Sequence, residues 1–283
     1  MIRPCALAAL ALVATSLPAD AAPPQRIVSL NLCTDQILID LVPASRIRAL
    51  SHVATDASVS SIAERARSLT RVRGEAEEVL ALDPDLVVTT ELSTPTTASM
   101  LERLGRRVLK VPLASDIAGV REVVRRMAGA VGEAAAGEAV IAKFDQRLAA
   151  LATSAPTGPA PTAVIYQVNS IASAVGTLED EALRRAGLRN LATELHLDPG
   201  GRVALEAIIA NPPDLLVLSG PIDAYRTVVA DSLTHPALKA VMRERATLVV
   251  PWRHWLCATP YIADAIEALA EARRRLTPRR PPA

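Results

Sequence analysis

Along the chain, short runs that are apolar on every residue alternate with longer stretches whose apolar residues recur at helical spacing. Runs such as Leu86-Val87-Val88 and Leu215-Leu216-Val217 leave no polar face, which suits parallel strands covered on both sides. The pattern predicts strands near 26–30, 46–50, 86–90 and 107–111, then near 163–168, 214–218 and 247–250. Between them it predicts helices near 35–42, 75–82, 93–104, 178–186, 203–211, 233–243 and 260–275. Ser115-Asp116 can cap a further helix that runs to about Val131. Beyond Gly132, residues 133–152 carry Val140, Phe144, Leu148 and Leu151 at helical spacing. At 1.5 Å per residue that helix would be about 30 Å long, enough to run the length of a small lobe. Alternating strands and helices imply an α/β fold with parallel sheets and right-handed crossovers.

Two segments nearly half the chain apart say the same thing. The run from Glu77 to Val88 contains Pro84-Asp85 between an amphipathic stretch and an apolar one, and the run from Glu206 to Val217 contains Pro213-Asp214 in the same place. A proline cannot continue the helix before it, so each run reads as short helix, stop, buried strand. Arg26-Ile27-Val28-Ser29 and Ala163-Val164-Ile165-Tyr166 each open a half with a β-rich run. We therefore expect two similar α/β lobes, an N-terminal one over 24–132 and a C-terminal one over 153–276. The helix at 133–152 joins them, and a ligand cleft lies between. Thr153 to Pro161 forms a stiff link, and the tail 277–283 is expected to be disordered.

The first residues change the picture of where the chain works. A positive start at Arg3 leads into an apolar run from Ala6 to Leu17, then Pro18 and Ala19-Asp20-Ala21. This has the form of a secretory signal over 1–21, cleaved after Ala21 or Ala22; a membrane anchor is the other reading, though the run is short for one. Cleavage leaves Cys33 and Cys257 as the only cysteines. In an oxidising space two cysteines can pair, or each can pack separately as a small apolar residue, and the sequence decides neither.

Composition removes several classes. The 283 residues include 31 Lys+Arg and 30 Asp+Glu for a net charge of +1, so no basic excess supports nucleic-acid binding. Hydrophobic residues make up 50%, which excludes a disordered chain. There is no Gly-rich phosphate loop, no His-Glu-x-x-His and no nucleophile elbow, and the cysteines are too few for a cluster. His52, His196, His235 and His254 show no metal-ligand spacing, so no metal site or resident cofactor is expected, nor any catalytic constellation.

In parallel sheets, ligands sit outside the carboxyl ends of the strands. Asn31-Leu32-Cys33-Thr34 follows the first strand, with Thr34 or Asp35 as candidate helix cap. His52 follows the second and Thr90-Glu91 the third. Past the last strand comes Trp252-Arg253-His254-Trp255-Leu256-Cys257, which holds both tryptophans of a chain that is only 2% aromatic. Such a loop suits a large, partly flat, partly polar ligand, or else the tryptophans plug the seam between the lobes.

Taken together, Arg26-Ile27-Val28-Ser29-Leu30, the Glu77 to Val88 segment, Leu104-Gly105 before a strand, the long linking helix and the closing Trp255 to Ile262 stretch resemble one known family. It is the periplasmic substrate-binding proteins of ABC importers, in the branch that takes cobalamin, iron-siderophores or haem. The resemblance covers roughly residues 25 to 275. It implies two α/β lobes on one rigid helix, little hinge closure, a large metal-chelate ligand, the importer's permease as partner and a monomer in the periplasm. It implies ligand contact at Asn31, Leu32, Cys33, Thr34, His52, Thr90, Glu91, Tyr166, Trp252, Arg253, His254, Trp255 and Cys257. It also implies permease docking through Glu77 and Glu206, which otherwise simply favour a helix N-terminus. A Cys33–Cys257 bridge would join the lobes. The chain departs from the cobalamin pattern in having no N-lobe aromatics. A corrinoid is the expected ligand, an iron-siderophore or haem the alternative, and an enzyme on this scaffold the competing class.

Overall fold

A computed structural model describes residues 22–153, 159–167, 171–198, 201–220 and 235–276. The expected leader, the expected tail, most of the link after Thr153 and the first residues of the helix expected at 233–243 lie outside these. The first unit runs β1 (Ile27–Ser29), α1 (Leu32–Leu41), β2 (Ile47–Ser51), α2 (Ala63–Ala66), β3 (Arg71–Val72), α3 (Ala76–Ala81), β4 (Leu86–Thr90), α4 (Pro95–Arg103) and β5 (Val108–Val111). Two long helices follow, α5 (Ile117–Val131) and α6 (Ala134–Thr153). The second unit has β6 (Thr162–Tyr166), α7 (Leu178–Arg185), β7 (Arg189–Asn190), α8 (Leu191–Glu194), α9 (Leu205–Ala210), β8 (Leu215–Ser219), α10 (Pro236–Glu244), β9 (Ala246–Val250) and α11 (Ile262–Arg275).

All strand pairs in both sheets are parallel. The first sheet is ordered β3-β2-β1-β4-β5 and the second β7-β6-β8-β9. Four strands of each sheet therefore follow the same order, β2-β1-β4-β5 against β7-β6-β8-β9. The repeated Pro-Asp has a physical reason here. Asp85 accepts from the backbone N–H groups of Gln25 and Arg26, both at 2.8 Å, just ahead of β1. Asp214 accepts from the Thr162 N–H at 2.9 Å at the start of β6. In both units the carboxylate satisfies donors that the neighbouring strand leaves open.

Helix α6 packs on α1 and α5 of the first unit and on α7 and α11 of the second. Its Ile141 enters the first unit's core, while Phe144 and Leu148 enter the second's. The α5–α6 crossing is tight enough that a Cβ on Gly137 would meet Ala128 Cβ at 2.5 Å, which explains the glycine. Asp116 caps α5 by accepting from Gly119 N at 2.7 Å, and Gly132 ends it in the left-handed region at φ 75°. Arg147 of α6 donates to Asp264 at 2.6 Å and to Glu267 at 2.8 Å, fastening the helix to α11.

Candidate ligand cleft

The β1–α1 turn is built on Asn31. Asn31, rather than Thr34 or Asp35, is the cap, and α1 begins at Leu32. Its side-chain oxygen accepts from Cys33 N at 2.8 Å, and its amide donates to Ser93 Oγ at 2.8 Å, tying the turn to the loop after β4. Thr34 and Asp35 instead point inward. Ser29 Oγ lies 2.8 Å from Thr34 Oγ1, and Ser51 Oγ donates to Asp35 Oδ2 at 2.5 Å. The result is a buried polar cluster directly beneath the strand ends. Burial pushes the Asp35 carboxyl from 3.8 up to about 7, against the opposing hydrogen bonds from Ser29 and Ser51. A carboxyl whose folded pKa exceeds its unfolded value favours the fold while protonated, so its contribution is lost as pH rises toward that folded value. Stability is expected to fall by about 2 kcal/mol between about pH 5 and about pH 7. Asp35→Asn should remove that slope in urea titrations, and an unaltered slope would place the titration elsewhere.

The stretch after β9 crosses from the second unit to the first. Trp252–His254 makes a 3-10 turn, and Ser61 Oγ donates to the Arg253 carbonyl at 2.7 Å. Cys257 is disulfide-bonded to Cys33 with the Cα atoms 5.0 Å apart. Thr259 Oγ1 donates to the buried Gln36 Oε1 at 2.8 Å. Tyr261 donates to Asp40 at 3.3 Å, and Arg65 donates to Asp40 at 2.6 Å and to the Tyr261 hydroxyl at 3.0 Å. Burial, with the Asp40 carboxylate beside it, holds the Tyr261 phenol well above its usual range. Residues 33, 36 and 40 lie on one face of α1, so the strap follows that face for two turns. On its strand-end side Cys33, Thr34, Thr90, Leu113 and Ala258 border a small space. On its other side a groove of about 610 Å³ opens between Asp40, Arg65, Val140, Lys143, Phe144 and Tyr261.

The sequence profile of periplasmic binding proteins matches residues 27–245, from β1 to the residue before β9. The chain belongs to the periplasmic binding protein family. Over 217 residues it is 27% identical to a cobalamin-binding protein of Halobacterium salinarum, covering 76% of this chain and 58% of that protein. It thus spans little more than half the length of that relative. A periplasmic haem-binding protein of Pseudomonas aeruginosa is 25% identical, with a TM-score of 0.68 over 91% of this chain and 95% of that one. The periplasmic vitamin B12 binding protein of Vibrio cholerae is 19% identical, with a TM-score of 0.65 over 89% and 97%, and shares the fold.

This periplasmic binding protein brings only part of the expected ligand set to its surface. Tyr166 is 0% exposed and packs among Val164, Leu216 and Leu218 in the second unit's core. Trp255 is 5% exposed and packs with Ile262 and Ile266 of α11. Both were expected on the ligand wall, and both are core residues. Tyr166 ends a strand whose last four positions are buried, and Trp255 falls where the 3-10 turn doubles back onto α11. Leu32, Thr34, Thr90 and Cys257 are buried beneath the strand ends. Asn31, Cys33, Trp252, Arg253 and His254 are half-buried, and His52 and Glu91 are exposed. His254 turns toward α11, its Nδ1 3.3 Å from Asp264. Burial would raise the Asp264 carboxyl, but the His254 and Arg147 contacts outweigh it and hold it below the usual range.

Sequence reasoning passed over most of the periplasmic binding protein's aliphatic lip. Leu92, Leu113 and Leu256 are 76%, 52% and 49% exposed on the loops that follow β4, β5 and β9. Leu256 lies in the loop the sequence singled out, but nothing in the spacing of Leu92 and Leu113 separates them from core leucines. Glu77 and Glu206 are exposed in the first turns of the equivalent helices α3 and α9. Among the described residues no group of three His, Cys, Asp or Glu could hold a metal ion, and no helix is long and apolar enough to cross a membrane.

Proposed function

We propose that this periplasmic binding protein captures a corrinoid, cobalamin-like ligand between its two α/β units and delivers it to the permease of an ABC importer. The likeness over 217 residues to a cobalamin-binding protein carries the reading. The chemistry of the strand ends agrees with it. A corrinoid offers a broad apolar ring edged with amides. The lip offers Leu92, Leu113 and Leu256 for the ring, and the Asn31 and Trp252 side chains for its edge. The role is binding and transfer, and it needs no bond-making chemistry. Export through the 1–21 leader places the monomer in the periplasm. Glu77 and Glu206, one on each unit, give the permease a two-point register that charge can steer.

Haem is the second reading, favoured by the 25% identical haem-binding protein. Tyr166 and His254 are the aromatic groups the sequence offers to a haem iron, but Tyr166 is buried and His254 faces Asp264, so the exposed His52 is the axial-ligand candidate at the strand ends. Calorimetric titration of the exported chain with cyanocobalamin, haemin and a ferric hydroxamate separates the readings. We expect one cyanocobalamin per chain with micromolar or tighter affinity. Silence toward cyanocobalamin together with a haemin Soret shift that His52→Ala abolishes would replace the corrinoid with haem.

A further inference from the structure

The strap between the units is graded along α1. At the strand ends its link is covalent, Cys33 to Cys257. One turn on, it is the buried Gln36–Thr259 hydrogen bond, and a turn beyond that the Asp40–Tyr261–Arg65 cluster. Trp255, anchored in the core, fixes one end of Leu256–Ala258, and Thr259 fixes the other. The three residues between carry the exposed Leu256 and border the small space at the strand ends through Ala258. The two cysteines are unequally placed, since Cys33 is half-buried and Cys257 is 2% exposed.

We propose that the Cys33–Cys257 disulfide is a redox-sensitive latch on the ligand site, holding the strand-end side of the seam closed when oxidised and letting it open when reduced. The consequence for the ligand rests on the corrinoid reading above; the latch itself does not. The reductant is an external dithiol. One of its thiolates attacks Sγ of Cys33, the less buried of the two cysteines, the S–S bond breaks, and Cys257 leaves as a thiolate that takes up a proton. The dithiol's second thiolate then attacks the mixed disulfide and releases Cys33, which is protonated in turn. Two electrons and two protons reach the protein, and the reductant leaves as its own disulfide. The Gln36–Thr259 and Asp40–Tyr261 bonds keep the units joined, so the seam pivots there instead of parting.

The test compares oxidised chain, chain reduced with dithiothreitol and the Cys33→Ala/Cys257→Ala pair, each as full exported protein. In amide NMR, reduction should shift and broaden the signals of Asn31–Thr34 and Leu256–Ala258, with recovery on reoxidation. The Trp255 indole and the strand signals should stay in place. Cyanocobalamin release, followed by stopped-flow absorbance, should become about tenfold faster. Signals unmoved beyond the two cysteines and equal release rates would overturn the latch, and so would movement spread evenly through both sheets. If cyanocobalamin does not bind, the NMR arm decides the latch alone and only the ligand reading fails.

Discussion

Replacing Cys33 and Cys257 together by alanine should lower the free energy of unfolding by about 4 kcal/mol. The bridge spans 224 of the 283 residues, so it closes most of the chain into one loop. In the unfolded state a loop of that length removes much conformational freedom, and the gain grows only slowly with length. The folded state loses less, because Gln36–Thr259, Asp40–Tyr261 and Ser61–Arg253 still hold the strap to the first unit. Urea unfolding of the oxidised wild type against the double variant reads the difference. A change below about 1 kcal/mol would mean that the unfolded chain is already compact across the seam, and the entropic account would fail.

Trp255→Ala is the second large expectation. The indole is 5% exposed within a core shared by α5, α6, α7 and α11. Truncation removes its transfer free energy and leaves a cavity, at a cost of about 3 to 5 kcal/mol. Trp252→Ala, at a half-buried position in the same turn, should cost about 1 kcal/mol or less and weaken ligand binding instead. Urea midpoints and ligand titrations on both variants discriminate. If Trp255→Ala unfolds at the wild-type midpoint yet loses the ligand, its indole belongs to the ligand wall and our assignment to the core is wrong.

The two elements that sequence reading missed outright in the sheets are β3 and β7, each two residues long. Arg71-Val72 and Arg189-Asn190 have too few positions for a period to show. The short helices α2 and α8 escaped for the same reason, at four residues each. The cap at Asn31 was misassigned because Asn31, Thr34 and Asp35 are all good cap residues, and only the fold turns Thr34 and Asp35 toward Ser29 and Ser51.

What the amino-acid order determined by itself is whatever depends on local spacing. The all-apolar runs specify strands covered on both faces, the Pro-Asp pair specifies where helix stops and strand begins in each unit, and Asp116 and Gly132 bracket α5. The tertiary structure decided which way side chains face once elements pack. It placed Trp255 and Tyr166 in cores, left Leu92, Leu113 and Leu256 at the strand ends and brought Cys33 beside Cys257. The physical reason is distance along the chain. A helix period or a cap is set within a few residues, whereas facing and pairing follow from contacts between segments that only the packed sheets bring together.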